Sequence, residues 1–375
     1  MRLVSFLILF LSAQLAFGQA APSPQVAANT WLLLDFVTGQ PLVDHDAGRR
    51  IEPASLTKLM TAYLTFSALK EGRITPEQQV PVSEKAWKMI GSRMFIEPRK
   101  AVTVDQLVQG MIVQSGNDAC VALAELIAGS EEGFVQLMNR EAERLGMKDT
   151  HFMNSTGLPH PEHLTTARDL GILASAIIRD FPKYYPTYSQ KDFSYNDIKQ
   201  PNRNRLLWVD PTVDGIKTGH TESAGYCLIA SAKRGERRLI SVVTGAASEA
   251  SRAEESLKLL NHGFLFFDTV RLYEAGKPVS SLPVWKGESD VLDAGFLDDF
   301  VLSVPKDQVA NLQFDLASMQ PVTAPVAKGQ QVATLRISLD GQLIGEYPVL
   351  ALHDVPEAGL VGRSWDALRL WIKSL

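Results

Sequence analysis

The sequence predicts a mixed domain, of the α+β or α/β class, over residues 25–272, followed by a smaller all-β domain over residues 273–358. Three observations predict this division. The first region combines segments of helical periodicity with segments of strand pattern, and its strands cluster near its two ends. In the second region helical periodicity fades, and Pro, Gly and Val become more frequent. Residues 361–375 then have the spacing of one amphipathic helix.

A β-hairpin is predicted near the start of the first region. Two runs with strand character, Thr30–Val37 and Pro41–His45, flank the turn-forming segment Thr38-Gly39-Gln40. Apolar residues at helical spacing and cap-like polar residues predict the helices that follow. The predicted helices span residues 55–69, 104–113, 118–128 and 166–178, and a second pair of strands spans 226–232 and 238–244.

The second region contains a clear hairpin pattern. Ala333, Leu335, Ile337 and Leu339 alternate with polar residues, as expected for a strand with one buried face. Asp340-Gly341 follows directly, and this dipeptide favours the tight turn that joins two antiparallel strands. The pattern predicts a small all-β domain.

The first 20 residues have the features of a secretory signal peptide. Arg2 precedes an apolar run from Leu3 to Leu11, and Gly18-Gln19-Ala20 provides small residues for cleavage. A retained membrane anchor is the alternative, but the run is short compared with the roughly 20 residues that span a bilayer. We therefore expect the mature chain to work outside the cytoplasm.

Composition excludes several kinds of partner. The formal net charge of −5 gives no reason to expect nucleic acid. The two cysteines, Cys120 and Cys227, stand among apolar residues and are predicted to be buried thiols. No group of Cys and His residues has the spacing of metal ligands, so the sequence predicts no metal and no cofactor.

Three short motifs carry the chemistry. Ser55-Leu56-Thr57-Lys58, Ser115-Gly116-Asn117 and Lys217-Thr218-Gly219 match S-x-x-K, S-x-N and K-T-G, in that order. Penicillin-binding proteins and class A β-lactamases use such a set for acyl transfer to serine. Each motif alone is weak, but only Ser55 stands where a predicted helix begins. The S-x-x-K pattern recurs at Ser67/Lys70 and Ser303/Lys306, and S-x-N recurs at Ser194/Asn196.

The spacing of the first motif suits an activated nucleophile. Lys58 lies three residues after Ser55, so the two side chains share one face of a helix. A serine hydroxyl needs a base to become a good nucleophile. Lys58 can be that base if burial and the nearby cation Lys217 lower its pKa. Ser115 can then pass a proton to the leaving group, and Asn117 can bind a substrate amide.

The third motif is suited to substrate binding. Lys217 and Thr218 can bind a carboxylate, and Gly219 allows a substrate backbone to approach the strand. We expect this strand to lie at the edge of the sheet, where a peptide can pair with it.

At this point the chain resembles a known family. Segments 51–61, 115–119 and 214–221, together with Thr38-Gly39 and Asn154–Pro159, are similar to the D-alanyl-D-alanine carboxypeptidases among the low-molecular-mass penicillin-binding proteins. The resemblance implies a penicillin-recognising catalytic domain and removal of the terminal D-alanine from peptidoglycan stem peptides. It also implies acylation by β-lactams and an oxyanion hole formed by the backbone N–H groups of Ser55 and His220.

Two residues outside the motifs are considered as further members of the site. Arg252 aligns with an arginine that this family keeps near the substrate carboxylate, but it could equally be a solvated helix charge beside Glu254 and Glu255. Glu162 is rejected as a deacylating base of the β-lactamase type, because its surroundings lack the expected pattern.

Other functions remain open at this level. A D,D-endopeptidase or a β-lactamase of the same superfamily would share the three motifs. A catalytically inactive protein that binds peptidoglycan through its β-domain is a rival of a different class. The presence of Ser55, Lys58, Asn117 and Lys217 argues against an inactive protein.

The C-terminal stretch, residues 361–375, suggests a membrane-surface helix. Trp365, Leu368, Ile372 and Leu375 fall on one face, and basic residues outnumber acidic ones. It is similar to the C-terminal anchor of the same family, which implies a location on the periplasmic face of the inner membrane. The alternative is a helix that packs its apolar face against the β-domain.

Overall fold

The computed structural model describes residues 23–359, which form two compact units. One unit comprises Pro24–Val270 with Val301–Ser303, and the other comprises residues 271–300 and 304–359. Within the described residues, no helix has both the length and the apolar character needed to cross a bilayer. The predicted signal peptide and the predicted terminal helix both lie outside the described residues.

The first unit contains a five-stranded sheet in the order β2-β1-β9-β8-β7. All of its strand pairs are antiparallel, so the mixed domain predicted from the sequence is confirmed and is of the α+β kind. Two short hairpins, β3-β4 and β5-β6, lie outside this sheet. The strands are β1 (Thr30–Asp35), β2 (Pro41–His45), β3 (Gln79–Val80), β4 (Val102–Thr103), β5 (Asp192–Tyr195), β6 (Ile198–Pro201), β7 (Val213–Thr221), β8 (Gly225–Arg234) and β9 (Arg237–Ala246).

The helices of this unit cover both faces of the sheet. Most follow strong N-terminal signals; for example, the Thr166 hydroxyl accepts a hydrogen bond from the Asp169 backbone N–H and so begins the helix predicted there. The helices are α1 (Lys58–Lys70), α2 (Glu84–Trp87), α3 (Val104–Gln109), α4 (Asn117–Ala128), α5 (Glu131–Leu145), α6 (Ala167–Asp180), α7 (Leu206–Val209) and α8 (Glu249–Phe266).

Strand β1 shows why the sheet is covered on both sides. All six of its residues are buried, and successive side chains point to opposite faces. Leu32 and Leu34 join the core that contains α6, whereas Trp31 and Leu33 join the core that contains Leu259 and Leu260 of α8. Each such leucine stabilises the fold by roughly 1.5–3 kcal/mol through burial. The sheet is therefore the middle layer of three.

Two predicted helices differ from the structure at positions that matter for the site. The helix expected from Ser55 begins as a 3-10 turn, Ala54–Thr57, and becomes α-helical at Lys58. The helix expected over 104–113 is α-helical only to Gln109 and continues as a π-helical turn, Gly110–Gln114. Gly110 lets the Met94 side chain pack against this turn, since a Cβ there would lie 2.3 Å from the Met94 sulfur.

The second unit is β-rich, as predicted. Its main sheet has six strands in the order β14-β16-β17-β12-β11-β15. A separate two-stranded ribbon, β10 with β13, includes residues assigned to each unit. The strands are β10 (Phe267–Tyr273), β11 (Pro278–Trp285), β12 (Val291–Gly295), β13 (Phe300–Pro305), β14 (Leu312–Ser318), β15 (Val322–Thr323), β16 (Gln331–Leu339) and β17 (Gln342–Ala351).

The predicted hairpin of this unit is confirmed. β16 and β17 pair antiparallel, and Asp340 and Gly341 connect them with positive φ values of 49° and 80°. These values are those of the two-residue turn whose twist matches that of the flanking strands. Ala333, Leu335 and Ile337 are buried, whereas Arg336 between them is exposed, which follows the alternation in the sequence.

Candidate active site

The three motifs meet in one cleft of about 490 Å³ in the first unit. Ser55 comes from the 3-10 turn, Ser115 and Asn117 from the junction of the π-helical turn with α4, and Thr218 from β7. These segments are far apart in sequence, so the fold brings the motifs together. Cleft-lining residues include Ser55, Ser115, Asn117, Thr218, Gly219, His220, Arg203, Glu249 and Arg252.

Ser55 and Lys58 form the central pair. The Lys58 Nζ donates to the Ser55 Oγ at 3.0 Å and also donates to the Thr156 carbonyl. Lys58 is only 1% exposed. Its amine is therefore held beside the hydroxyl by the backbone of a second segment, and the i, i+3 relationship expected from the sequence is confirmed.

Burial lowers the pKa of Lys58 to about 8, because the charged ammonium loses its hydration. The guanidinium of Arg203 lowers it further, whereas Asp118 acts in the opposite direction. The sequence suggested Lys217 as the cation with this effect. Lys217 does interact with Lys58, and burial together with the Lys58 charge lowers the pKa of Lys217 well below its usual range. A minor fraction of Lys58, roughly a fifth at pH 7.4, is then neutral and can accept a proton.

The third motif lies on an edge strand, as predicted. β7 is the last strand of the sheet and pairs only with β8 there. Its outer edge is therefore free of a neighbouring strand within that sheet and can receive an extended peptide. Lys217 is 3% exposed, and its Nζ donates to the Thr218 carbonyl at 3.0 Å.

Ser115 and Asn117, which belong to the second motif, line the same cleft. Ser115 has a left-handed backbone, with φ of 67°, and its buried Oγ makes no hydrogen bond within the described residues. The hydroxyl is thus available to a bound molecule. The Asn117 Nδ2 donates to the Ile90 carbonyl at 2.7 Å. This bond orients the side chain and leaves its carbonyl oxygen to accept from a substrate N–H.

Gly219 has a different neighbour from the one expected. The sequence suggested that its lack of a side chain admits the substrate backbone. In the structure a Cβ at this position would lie 3.3 Å from the Ala54 Cβ and 3.4 Å from the Leu56 nitrogen. Gly219 therefore allows β7 to pack against the turn that carries Ser55, and so sets the distance between strand and nucleophile.

Arg252 is part of the cleft, and the alternative of a solvated helix charge is wrong. It is 3% exposed, and its Nη1 donates to the Gly219 carbonyl at 3.2 Å. Its guanidinium lies over the Tyr226 ring at 5.6 Å. The His220 ring is exposed and packs at 4.0 Å from the same tyrosine ring. Tyr226, which also lines the cleft, thus contacts both side chains.

Several residues of the site were missed in the sequence. Arg203 and Glu249 line the cleft, and their positions give no local signal. His163 lies beneath the nucleophile, where its Nε2 is 3.0 Å from the Thr57 Oγ1. Asn154 belongs to a segment that carries the family resemblance, but its role was not predicted: its Oδ1 accepts from the backbone N–H groups of Thr156, Gly157 and Leu158 and so organises the loop that supports Lys58.

Glu162 and the two cysteines were assigned no catalytic role. Glu162 lines a separate groove with Arg50 and Asp149. Cys120 and Cys227 are buried free thiols, as predicted, and burial raises the pKa of Cys120 to about 12. Over residues 23–359, no cluster of three or more His, Cys, Asp or Glu side chains is arranged to hold a metal ion.

Comparison with known families assigns both units. Residues 17–248 match the family model described as D-alanyl-D-alanine carboxypeptidase. Residues 267–357 match the model described as penicillin-binding protein 5, C-terminal domain. The two matches correspond to the α+β unit with its cleft and to the β-rich unit.

Individual relatives agree with the family models. The D-alanyl-D-alanine carboxypeptidase DacC of Escherichia coli is 42% identical, over 96% of this chain and 92% of its own length. The crystal structure of penicillin-binding protein 5 from Haemophilus influenzae is 41% identical, with a TM-score of 0.86, and covers 90% of this chain and 100% of that one. Penicillin-binding protein D2 from Listeria monocytogenes, in its ampicillin-bound form, is 30% identical with a TM-score of 0.60, and covers 65% of this chain and 99% of that one. The chain belongs to the D-alanyl-D-alanine carboxypeptidase family of serine peptidases.

Proposed function

We propose that Ser55 is the nucleophile and Lys58 the general base of this serine D-Ala-D-Ala carboxypeptidase. One observation carries the assignment: the Lys58 amine lies 3.0 Å from the Ser55 hydroxyl, and its pKa is lowered to about 8. An amine that is partly neutral near physiological pH can remove the hydroxyl proton as the oxygen attacks.

The acylation step follows from this pair. The Ser55 Oγ attacks the carbonyl carbon of the penultimate D-alanine, and its proton passes to Lys58. The carbonyl oxygen becomes negative, and the backbone N–H groups of Ser55 and His220 stabilise it. The C–N bond then breaks, and the leaving D-alanine nitrogen receives the proton from Lys58 through Ser115, whose hydroxyl has no other partner among the described residues. Lys58 is thereby neutral again.

Deacylation uses the same groups with water as nucleophile. Water attacks the ester carbonyl of the acyl-enzyme, and Lys58 accepts its proton. The ester C–O bond breaks, and Ser55 regains a proton as the shortened peptide leaves. A β-lactam enters by the same first step, but the nitrogen released by ring opening stays tethered to the acyl group.

Substrate recognition falls to the cations and to the edge strand. Lys217, Thr218 and Arg252 bind the terminal carboxylate, and Arg203 adds positive charge at the rim of the cleft. Asn117 accepts from a peptide N–H, and the stem peptide extends along β7.

D-alanine release tests these roles together. A peptide ending in D-Ala-D-Ala is incubated with the wild-type protein, with Ser55→Ala and with Ser115→Ala, and free D-alanine is measured. We expect no release by Ser55→Ala and slower release by Ser115→Ala. Wild-type turnover of penicillin should be slow compared with peptide turnover, since rapid turnover would indicate a β-lactamase.

We also propose that residues 361–375 hold the mature enzyme on the periplasmic face of the inner membrane. The apolar face with Trp365 and the basic residues Arg363, Arg369 and Lys373 support this proposal. Deleting residues 361–375 should release the protein from anionic vesicles and leave D-alanine release from soluble peptides intact. Unfolding of the shortened chain, or failure of the full chain to bind such vesicles, would contradict the proposal.

A further inference from the structure

The cleft carries one acidic side chain among many cations. Of the described residues that line it, Glu249 alone is acidic, whereas Arg93, Arg203 and Arg252 are cationic. The buried amines of Lys58 and Lys217 lie at the same site. A carboxylate fixed in a site that must bind a substrate carboxylate calls for an explanation.

Glu249 is placed against Arg252 by the helix that carries both. It is the first residue of α8, which begins after the capping residue Ser248, and Arg252 follows one turn later. The Glu249 Oε1 lies 3.6 Å from the Arg252 Nη2. That distance is within ion-pair range but too long for a hydrogen bond.

Arg252 does not satisfy all of its hydrogen-bond donors in this arrangement. Its Nη1 donates to the Gly219 carbonyl, whereas its buried Nη2 has no hydrogen-bond partner within the described part of the chain. A buried guanidinium N–H without an acceptor is costly. Arg252 is therefore poised to accept a better anionic partner than Glu249 provides.

The two partners differ in freedom to move. The Arg252 side chain is 4% exposed, whereas that of Glu249 is 59% exposed. Glu249 can rotate into solvent at little cost, and Arg252 cannot. An incoming carboxylate can thus replace Glu249 beside Arg252 without disturbing the buried side of the cleft.

Glu249 also acts on the second arginine. Partial burial in the cleft lowers the pKa of Arg203, and the Glu249 carboxylate opposes this effect by favouring the charged guanidinium. The same two influences, in the same order, act on Arg252. The Glu249 carboxylate therefore forms an ion pair with Arg252 and acts on Arg203, which lines the same cleft, only through its charge.

We propose that Glu249 is a specificity-determining residue: an internal carboxylate that competes with the terminal carboxylate of the substrate for Arg252. The assignment rests on the proposed role of Arg252 in binding that carboxylate. Glu249 weakens the binding of every acyl donor that ends in a carboxylate, and it leaves the chemical steps at Ser55 unchanged. Only ligands that engage Arg252 well enough to displace Glu249 bind tightly.

A role for Glu249 in binding a cationic group of the stem peptide fits the site less well. Its charge is already paired with Arg252, and Lys58 and Lys217 lie beneath the same cleft. An additional ammonium would meet a field that is positive on balance.

The test compares Glu249→Gln with Glu254→Gln, which removes the same charge from an exposed position on the same helix. KM and kcat are measured with a peptide ending in D-Ala-D-Ala. Acylation rate constants are measured with benzylpenicillin and with its methyl ester, which lacks the carboxylate. We expect Glu249→Gln to lower KM about two- to fivefold, as for loss of an exposed ion pair, with kcat unchanged.

The β-lactam pair sharpens the test. Acylation by benzylpenicillin should become faster by a similar factor in Glu249→Gln, acylation by the methyl ester should not change, and Glu254→Gln should behave as wild type. An unchanged KM, or equal changes for the acid and the ester, would overturn the proposal. A higher KM only for peptides with a free side-chain amine would overturn it in favour of cation binding.

Arg252→Ala separates this proposal from the proposed function. If Arg252→Ala leaves KM unchanged, the role of Arg252 itself fails. If Arg252→Ala raises KM but Glu249→Gln does not lower it, only the competition by Glu249 fails. In the variant that combines Arg252→Ala with Glu249→Gln, we expect Glu249→Gln to lower KM less than it does alone, because the two substitutions act through one interaction. Thermal unfolding of each variant verifies that the fold is intact.

Discussion

Gly157 packs so closely on Ala54 that a Cβ atom at position 157 would lie 1.8 Å from the Ala54 carbonyl oxygen. Ala54 immediately precedes the nucleophile, and the loop that contains Gly157 also supplies the Thr156 carbonyl that binds Lys58. Gly157 further has a φ of +87°, which L side chains rarely adopt. One loop thus supports both members of the Ser55–Lys58 pair, and only glycine fits at its point of contact.

Gly157→Ala should therefore impair catalysis as well as stability. The new methyl group must displace the backbone at Ala54, which moves Ser55 away from Lys58. We expect acylation by benzylpenicillin to slow by about 10²-fold, as for a comparable misplacement of reacting groups. Gly146→Ala is the matched control: Gly146 has a φ of +82° but open space around it. It should lower the melting temperature and leave acylation unchanged, and equal acylation by both variants would contradict this interpretation.

The pH dependence of acylation should report Lys58. Because the pKa of Lys58 is lowered to about 8, the neutral amine becomes the major form as the pH rises through that value. The acylation rate constant should rise with pH and level off above about 8 to 9. Stopped-flow measurement with a chromogenic β-lactam gives this profile. A rate that does not change between about pH 6 and 9 would mean that the base is a different group.

Removal of Lys58 should slow acylation far more than removal of Lys70, the lysine of a second segment that matches the S-x-x-K pattern. Lys58→Ala should slow acylation by about 10²–10⁴-fold, which is typical for loss of a positioned base. Lys70 ends the same helix and is exposed, so Lys70→Ala should act as wild type. Acylation by Lys58→Ala within a few-fold of wild type would exclude the general-base role.

His163 should make the fold sensitive to acid. Burial lowers its pKa to about 4, whereas an unfolded histidine has a pKa of about 6.5. Between these values the unfolded chain binds a proton that the folded chain does not, so stability present above about pH 6.5 is lost as the pH falls towards 4. The loss is up to ~3 kcal/mol. Urea unfolding of wild type and His163→Gln at several pH values tests this, and the variant should show a smaller pH slope.

Local patterns in the sequence predicted much of the fold. The hairpin at Thr38-Gly39-Gln40 and the turn at Asp340-Gly341 depend on neighbouring residues, and both were predicted correctly. The π-helical turn before Ser115 was not predicted, because the apolar spacing of residues 104–113 indicated a continuous α-helix. Helix α5 was also missed, although its buried residues Phe134, Met138 and Ala142 recur at helical spacing.

The candidate site likewise contains some residues whose contacts local sequence predicted and others whose contacts depend on tertiary packing. Ser55 and Lys58 are neighbours on one turn, so their contact followed from spacing alone. Arg203 and Glu249 meet at the cleft only after the sheet and α8 are assembled, and no short motif marks either residue. The burial of Arg252 likewise depends on tertiary packing, which is why the sequence left its role open.

Covalent modification of Ser55 tests the central claim most directly. Wild type and Ser55→Ala are each incubated with benzylpenicillin. The mass of each intact protein is measured by mass spectrometry, and the modified peptide is then identified by peptide mapping. We predict that wild type gains the mass of one penicillin on the peptide that contains Ser55, and that Ser55→Ala gains none. An adduct on Ser55→Ala, or a wild-type adduct mapped to another serine such as Ser115, would contradict the account.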